Sequence, residues 1–364
     1  MGQNCCKIKQ DDNDSKEFYP KEEQIKYETF GDTFKTETNF KSIPRVMQEE
    51  DVNKLINIIK QNLYLELNEE IKIEEISPED FDKEIEKNKL IERILNTNKY
   101  ELDNIFYEGD EKVYKINPIK YSNKKGEIEY YLGTYDKKGN LCGKGIFISK
   151  EGNLYNGTFD KGLFNGKGIL IDINGNYYLG DWKDGKCEGK GQIIYNDKIL
   201  YEGDFMNNEK NGNGIEHFED DSIYKGQFLN GEKSGFGKYI FSDGSFYEGE
   251  FKNNLFNGNG FFKWSDGRYY KGDFSNGLIN GKGVNFWNDG SNYNGNYFHN
   301  VKQGEGVYSW KNGNKFIGNF VNNEPHGDGC FVVGDNKYNV KFNYGKIVYG
   351  NKIDSESTTN RTDF

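Results

Sequence analysis

The chain is 364 residues long and holds 45 Gly, 26 Tyr and 27 Phe against 5 Pro, with a net charge of −11. Disordered segments lack aromatics, so this composition excludes a wholly unstructured chain and points to tight turns between short aromatic strands. A mean hydropathy of −0.92 argues against a large aliphatic core, and five scattered cysteines form neither a disulfide framework nor a zinc spacing.

Charge is unevenly spread. Residues 1–129 carry about −9 and residues 130–350 about −1. Nucleic acid is excluded as a partner on this ground, because phosphate neutralisation needs a basic face. No run of about 18 apolar residues is present, and the first 30 residues lack the apolar stretch of a secretory signal. The expected setting is cytosolic and reducing.

The amino terminus reads Met1-Gly2-Gln3-Asn4-Cys5-Cys6-Lys7. Gly2 is the acceptor position for myristate, and Cys5 and Cys6 are placed for palmitate, although Cys6 stands where the usual pattern has Ser or Thr. One myristoyl chain binds a membrane only reversibly and a second acyl chain makes the attachment stable. Residues 1–45 are therefore expected to be a flexible, lipidated segment.

Residues 46–105 are expected to be helical. Val52, Leu55, Ile56, Ile59 and Leu63 form one helical stripe. Ser77, Pro78 and Asp80 then form a helix start, followed by Phe81, Ile85, Leu90, Ile94 and Leu95. Such helices would pack on the first repeat and cover an open sheet edge. Residues 106–130 read as a connector or a decayed repeat, with Tyr107 and Gly109 in place but Glu111 where an aromatic belongs.

From residue 131 to residue 350 the chain repeats. Tyr131, Tyr155, Tyr178, Tyr201, Tyr224, Tyr247, Tyr270 and Tyr293 open successive units, Phe316 opens the next, and Tyr338 opens an incomplete last one. Each unit reads Y-x-G-x-F, a turn, G-x-G and a second turn. The Tyr, Gly and aromatic are two apart and share one strand face. Seven residues after the opening aromatic stands only Gly or Asn: Gly162, Gly185, Asn208, Gly231, Asn254, Gly277, Asn300, Asn323 and Gly345. These residues tolerate a positive φ, the demand of a tight hairpin turn. The second turn carries Gly175, Asp221, Gly244, Gly267, Gly290, Gly313 and Asn336, with Lys198 as the exception. A further aromatic column, Tyr195, Phe218, Phe241, Trp264, Trp287 and Trp310, is expected to stack side by side as a ladder and to supply the candidate binding face.

The pattern resembles the MORN (membrane occupation and recognition nexus) repeat over residues 131–345, with nine near-complete units and a tenth fragment. The resemblance implies a mainly β fold, an elongated array of stacked β-hairpins forming a groove, here preceded by a short α-helical region. It also implies scaffolding and self-association, with lipid contact as a further proposal for such arrays. Residues 351–364 read as a disordered tail.

Nothing in the sequence assembles a catalytic site. His217, His299 and His326 share no constellation, and the Gly pairs do not open helices as nucleotide fingerprints do. Asp181, Asp204 and Asp273 follow a repeat position and read as strand residues rather than an acid/base pair. The expectation is a non-enzymatic scaffold without cofactor or metal, tethered by acyl chains to a cytoplasmic membrane face and binding protein partners. A second copy is one expected partner, through the uncapped edge near residues 341–349. The alternatives are a structural component of a cilium or the cell cortex, and a phosphoinositide-binding module.

Overall fold

The computed structural model describes residues 72–86, 114–115, 119–122, 127–135 and 141–353. Gly2, Cys5, Cys6, the stripe at residues 52–63, Leu90, Ile94, Leu95, Tyr107, Gly109 and residues 354–364 lie outside the described residues. Among the described residues there are 23 strands and one helix, and no helix is long and apolar enough to cross a membrane. The chain divides into two units. The first reaches His217 and takes in Leu229–Gly231, and the second comprises Phe218–Phe228 and the chain from Glu232 onward.

The first unit opens with strand β1 (Lys72–Glu75) and helix α1 (Pro78–Glu86), followed by β2 (Tyr114–Lys115), β3 (Ile119–Ser122), β4 (Ile128–Tyr135) and β5 (Leu141–Ile148). β1 stands inside the region expected to be helical. It pairs antiparallel with β3, which pairs with β4. The edge of the first hairpin is thus continued by strands and not covered by a helix. The alternating Ile-Lys-Ile-Glu sequence at residues 71–74 carries a period of two, which suits a strand.

Helix α1 begins as its sequence dictates. The Ser77 Oγ accepts the Asp80 N–H at 3.1 Å and donates to the Asp80 carboxylate at 3.0 Å. Phe81 and Ile85, one turn apart, are buried against Ile146, Ile148, Leu154, Ile169 and Ile171. The helix therefore covers a face of the first hairpins.

From β4 onward each repeat is an antiparallel hairpin. In the second repeat, Leu154–Asp160 pairs with Leu163–Ile171, with Phe159 opposite Phe164 and Gly157 opposite Gly168. The register shifts between Gly157 and Phe159, a bulge that places the first glycine of each G-x-G at positive φ (Gly166, 80°). In the hairpin turns the Gly/Asn rule holds without exception: Gly162, Asn208, Asn254 and their counterparts have φ between 67° and 82°. The residue before them is also left-handed, at 44° to 52° for Lys161, Asp184, Asn207, Asn230, Asn253, Asn276, His299, Asn322 and Tyr344. Two positive-φ residues in succession make these turns match the twist of the flanking strands.

The hairpin turns also join one repeat to the one before. The Asn208 N–H donates to the Cys187 carbonyl, and the Asn208 side-chain oxygen accepts the Cys187 N–H at 2.7 Å. Asn254, Asn300 and Asn323 do the same with Lys233, Ile279 and Lys302. Where glycine stands, only the backbone bond is made, as from Gly277 to Phe256.

The second turns are four residues long at Asp221, Gly244, Gly267, Gly290 and Gly313, all at positive φ. The two departures there have separate causes. Near Lys198, Asn196 and Asp197 supply the positive φ angles in a two-residue turn, with Leu200 unpaired beyond it. Near Asn336, the left-handed residue is Gly334. The last strand runs Lys346–Lys352, so Asn351 and Lys352 are strand rather than tail.

Candidate functional site: two aromatic columns on one face

The opening tyrosines form an inner column that is sealed. Tyr155, Tyr178, Tyr201, Tyr224, Tyr247, Tyr270 and Tyr293 are all buried. Each ring lies over the glycine two residues on and the glycine paired with it across the hairpin, as Tyr155 does over Gly157 and Gly168. The tyrosine hydroxyl donates to the carbonyl three residues ahead, at Thr158, Asp181, Asp204, Gln227, Glu250, Asp273 and Asn296, at 2.8 to 3.2 Å. Tyr131 departs from this and donates to Glu129 instead. Burial raises the Glu129 carboxyl pKa above its ordinary range.

Edge-to-face contacts connect the column in a zigzag. Tyr247 meets Phe251 of its own repeat at 5.2 Å and Phe274 of the next at 5.0 Å, and Tyr270 meets Phe274 and Tyr297 in the same way. In the first unit Tyr155, Trp182, Tyr178 and Phe205 form the equivalent chain. Such pairs add roughly 0.5–1.5 kcal/mol each beyond area burial.

Nine residues after each tyrosine comes the group that packs on its face. Phe164 and Phe256 stack on Tyr155 and Tyr247 at 3.6 and 3.9 Å. Cys187 fills the position in the repeat opened by Tyr178, where burial pushes its thiol up to about 12. Lys233 and Lys302 fill it as buried cations. The Lys233 ammonium lies 4.9 Å from the Phe218 ring and 5.8 Å from Tyr224. The Lys302 ammonium lies 4.7 Å from Trp287 and 5.9 Å from Tyr293.

The predicted ladder is an outer column on the same face, and further rings interleave with its rungs. Phe218, Phe241, Trp264, Trp287 and Trp310 are half-buried. At Phe241, Trp264 and Trp310 a ring two residues before the rung bridges to the rung of the preceding repeat. Phe218 meets Tyr239, Tyr239 meets Phe241, Phe241 meets Phe262 and Phe262 meets Trp264, at 4.7 to 5.8 Å. Trp287, Tyr308, Trp310 and Phe331 continue it at 4.8 to 5.6 Å. Between Trp264 and Trp287 the bridging position is Asn285, which is buried and whose Oδ1 has no hydrogen-bond partner. Tyr195 lies apart from the ladder. It pairs with Lys198 beside the two-residue turn, and its ring is exposed. Cations attend the rungs, with the Arg268 guanidinium 5.1 Å from Trp264.

The repeated carboxylates have a local task. Asp181, Asp204 and Asp273 accept the N–H groups of Lys190, Asn213 and Lys282 at the bulges, at 2.9 to 3.1 Å. Gln227, Glu250, Asn296 and Thr158 bond the bulge from the same repeat position. The histidines stay separate: His299 is a left-handed turn residue against Phe298, and His326 Nδ1 accepts the Tyr344 N–H. Among the described residues no cluster of three or more His, Cys, Asp or Glu is arranged to hold a metal ion.

The MORN repeat family model matches eight consecutive segments, residues 155–177, 178–198, 201–223, 224–246, 247–267, 270–292, 293–315 and 316–335. The first hairpin, opened by Tyr131, and the last, opened by Tyr338, fall outside the match. The comparison with curated proteins returned no match. Among solved structures, the TCP10 domain of Danio rerio CPAP in complex with a STIL peptide is similar at 13% identity and a TM-score of 0.35, covering 58% of this chain and 95% of that one. The TCP domain of Drosophila melanogaster SAS-4 with a proline-rich motif of Ana2 follows at 12% identity and 0.24, covering 49% and 84%. A virginiamycin B lyase from Staphylococcus aureus is similar at 13% identity and 0.13, covering 78% and 88%. None superposes closely enough to carry a functional comparison.

Proposed function

Because the chain is a MORN-repeat protein, we propose that it is a non-enzymatic scaffold whose outer ladder binds protein partners, held at the cytoplasmic face of a membrane by acyl chains on Gly2, Cys5 and Cys6. One observation carries the first half. The inner tyrosines are sealed, whereas Phe241, Trp264, Trp287 and Trp310 on the same face stay half-buried. Rings of that kind supply large contact area at low entropic cost, and exposed aromatic patches mark interaction surfaces.

The test is proximity labelling of the full chain beside Trp287→Ala/Trp310→Ala and beside Gly2→Ala. The ladder variant is expected to lose a subset of labelled proteins while keeping its membrane fraction. Gly2→Ala is expected to leave the membrane pellet while keeping ladder partners in a lysate. An unchanged partner set in the ladder variant sinks the binding reading, and a Gly2→Ala protein that still pellets sinks the anchor.

A second copy is one candidate partner in this scheme. Ile347, Val348 and Tyr349 are exposed on the last strand, which among the described residues pairs with the strand Asn336–Asn343 on one side. Sedimentation of Val348→Lys against wild type tests it, with loss of a dimer expected.

A further inference from the structure

In the first unit, the sheet face opposite the buried Tyr155 and Tyr178 is covered. Two rows of cross-strand neighbours cross it, Ile148–Leu154–Ile171–Tyr177 and Ile146–Asn156–Ile169–Leu179. Helix α1 lies on these rows through Phe81 and Ile85, which are 0% and 5% exposed.

The same two rows in the second unit read Ile240–Phe246–Lys263–Tyr269–Phe286 and Lys238–Glu248–Phe261–Lys271–Val284. Phe246, Phe261, Tyr269 and Phe286 touch in sequence at 5.8, 5.5 and 4.7 Å. All four rings remain half-buried, and α1 is the only helix among the described residues. The charge also differs between the units. The rows under α1 hold no charged residue, whereas these hold Lys238, Lys263 and Lys271 against Glu248 alone. Lys238 pairs with Glu248 at 2.9 Å, and Lys263 and Lys271 are exposed.

We infer that this face of the second unit docks an acidic amphipathic helix of a partner protein, seated by two apolar side chains one turn apart. Two observations select that occupant. The chain itself places such a helix on the equivalent positions: α1 carries five acids, one lysine and the Phe81/Ile85 pair. The lysines interspersed among the second unit's rings then complement the acidic flanks of the incoming helix. The rings supply the apolar seat and the lysines the register.

The probe is a dye-labelled, side-chain-stapled peptide with the sequence of residues 76–86, stapled because so short a helix is marginal in water. Fluorescence anisotropy with the full chain is expected to report saturable binding that weakens with salt. It should weaken about tenfold in Lys263→Glu/Lys271→Glu and in Phe261→Ser, and vanish when the peptide carries Phe81→Ala and Ile85→Ala. The lysine variant alters only exposed side chains, so it decides the matter even if Phe261→Ser fails to fold. No binding overturns the inference. So does binding that ignores the lysine substitutions, which would mark exchange with α1 on the first unit. Binding that appears only once residues 46–66 are deleted would assign the face to this chain's own segment. Loss of self-association in the lysine variant would assign it to a second copy. Phosphatidylserine vesicles that capture the wild type but not the lysine variant, with no peptide binding, would make it a lipid-facing surface.

Discussion

Gly260 and Gly313 have opposite reasons to lack a side chain. A Cβ on Gly260 would run into the Tyr247 ring, whereas one on Gly313 would meet nothing within 4 Å but would sit at a φ of 86°. Overpacking costs about 1–3 kcal/mol, and a left-handed L-residue about 1–2 kcal/mol. Gly260→Ala is therefore expected to lower the urea midpoint more than Gly313→Ala, and equal losses would mean that the ring moves aside. Asn285 is the converse case. Its buried, unpartnered oxygen carries a desolvation penalty of about 1–3 kcal/mol. Leucine already serves at the equivalent Leu170, which is 2% exposed. Asn285→Leu should therefore raise stability by about 1 kcal/mol in chemical denaturation. Cys187 should resist alkylation in the native protein, since it is buried and its thiol is pushed up to about 12. Mass spectrometry after a brief iodoacetamide pulse checks this.

The hairpin is the element in which titration becomes stability. Burial alone would raise the Asp204 carboxyl, but the Lys190 ammonium and the Asn213 N–H outweigh it and hold the pKa below the ordinary value. A carboxylate depressed in the fold contributes stability above its unfolded pKa and loses it as pH falls through the folded value. Asp204→Ala should cost about 1 kcal/mol at neutral pH, with the gap to wild type closing in acid. The tyrosines run the other way. Burial holds the Tyr247, Tyr270 and Tyr293 phenols well above the ordinary value, with the Glu250 and Asp273 charges adding at the first two. The folded chain then binds more protons than the unfolded chain above about pH 10, so stability falls as pH rises past that point. Absorbance at 295 nm should show these tyrosines ionising only together with loss of the far-ultraviolet strand signal. The hairpins and their turns were legible in the sequence because each Gly or Asn answers a backbone demand that nothing else meets. The task of Asp204 was not, because a cap nine residues away across a bulge leaves no period of its own beside the stronger one. The outer ladder was half legible. Trp264 and Trp310 stand out by residue type, but the bridging role of Phe262 and Tyr308, two residues earlier on the same face, was not legible there. The seat of α1 on a face rather than an edge could not be read at all, since local pattern names a buried stripe without naming what buries it.

Across the repeats, contacts are between neighbours, so stability should behave as a sum of unit and interface contributions. Gly168→Ala and Gly306→Ala, six repeats apart in sequence, are expected to lose stability additively. Gly272→Ala and Gly295→Ala lie in consecutive repeats joined by the Tyr270–Tyr297 contact, and they should deviate from additivity. Double-mutant cycles in urea measure both. The turn asparagines add a constraint of another kind. Asn254 reaches back 21 residues to Lys233, and Asn300 and Asn323 reach back by the same interval to Ile279 and Lys302. A residue inserted between the two partners stretches that interval, whereas insertion of one whole 23-residue repeat leaves it intact. Unequal exchange between repeats in the gene can therefore lengthen or shorten the array by complete repeats while every reach from one hairpin to the one before stays the same.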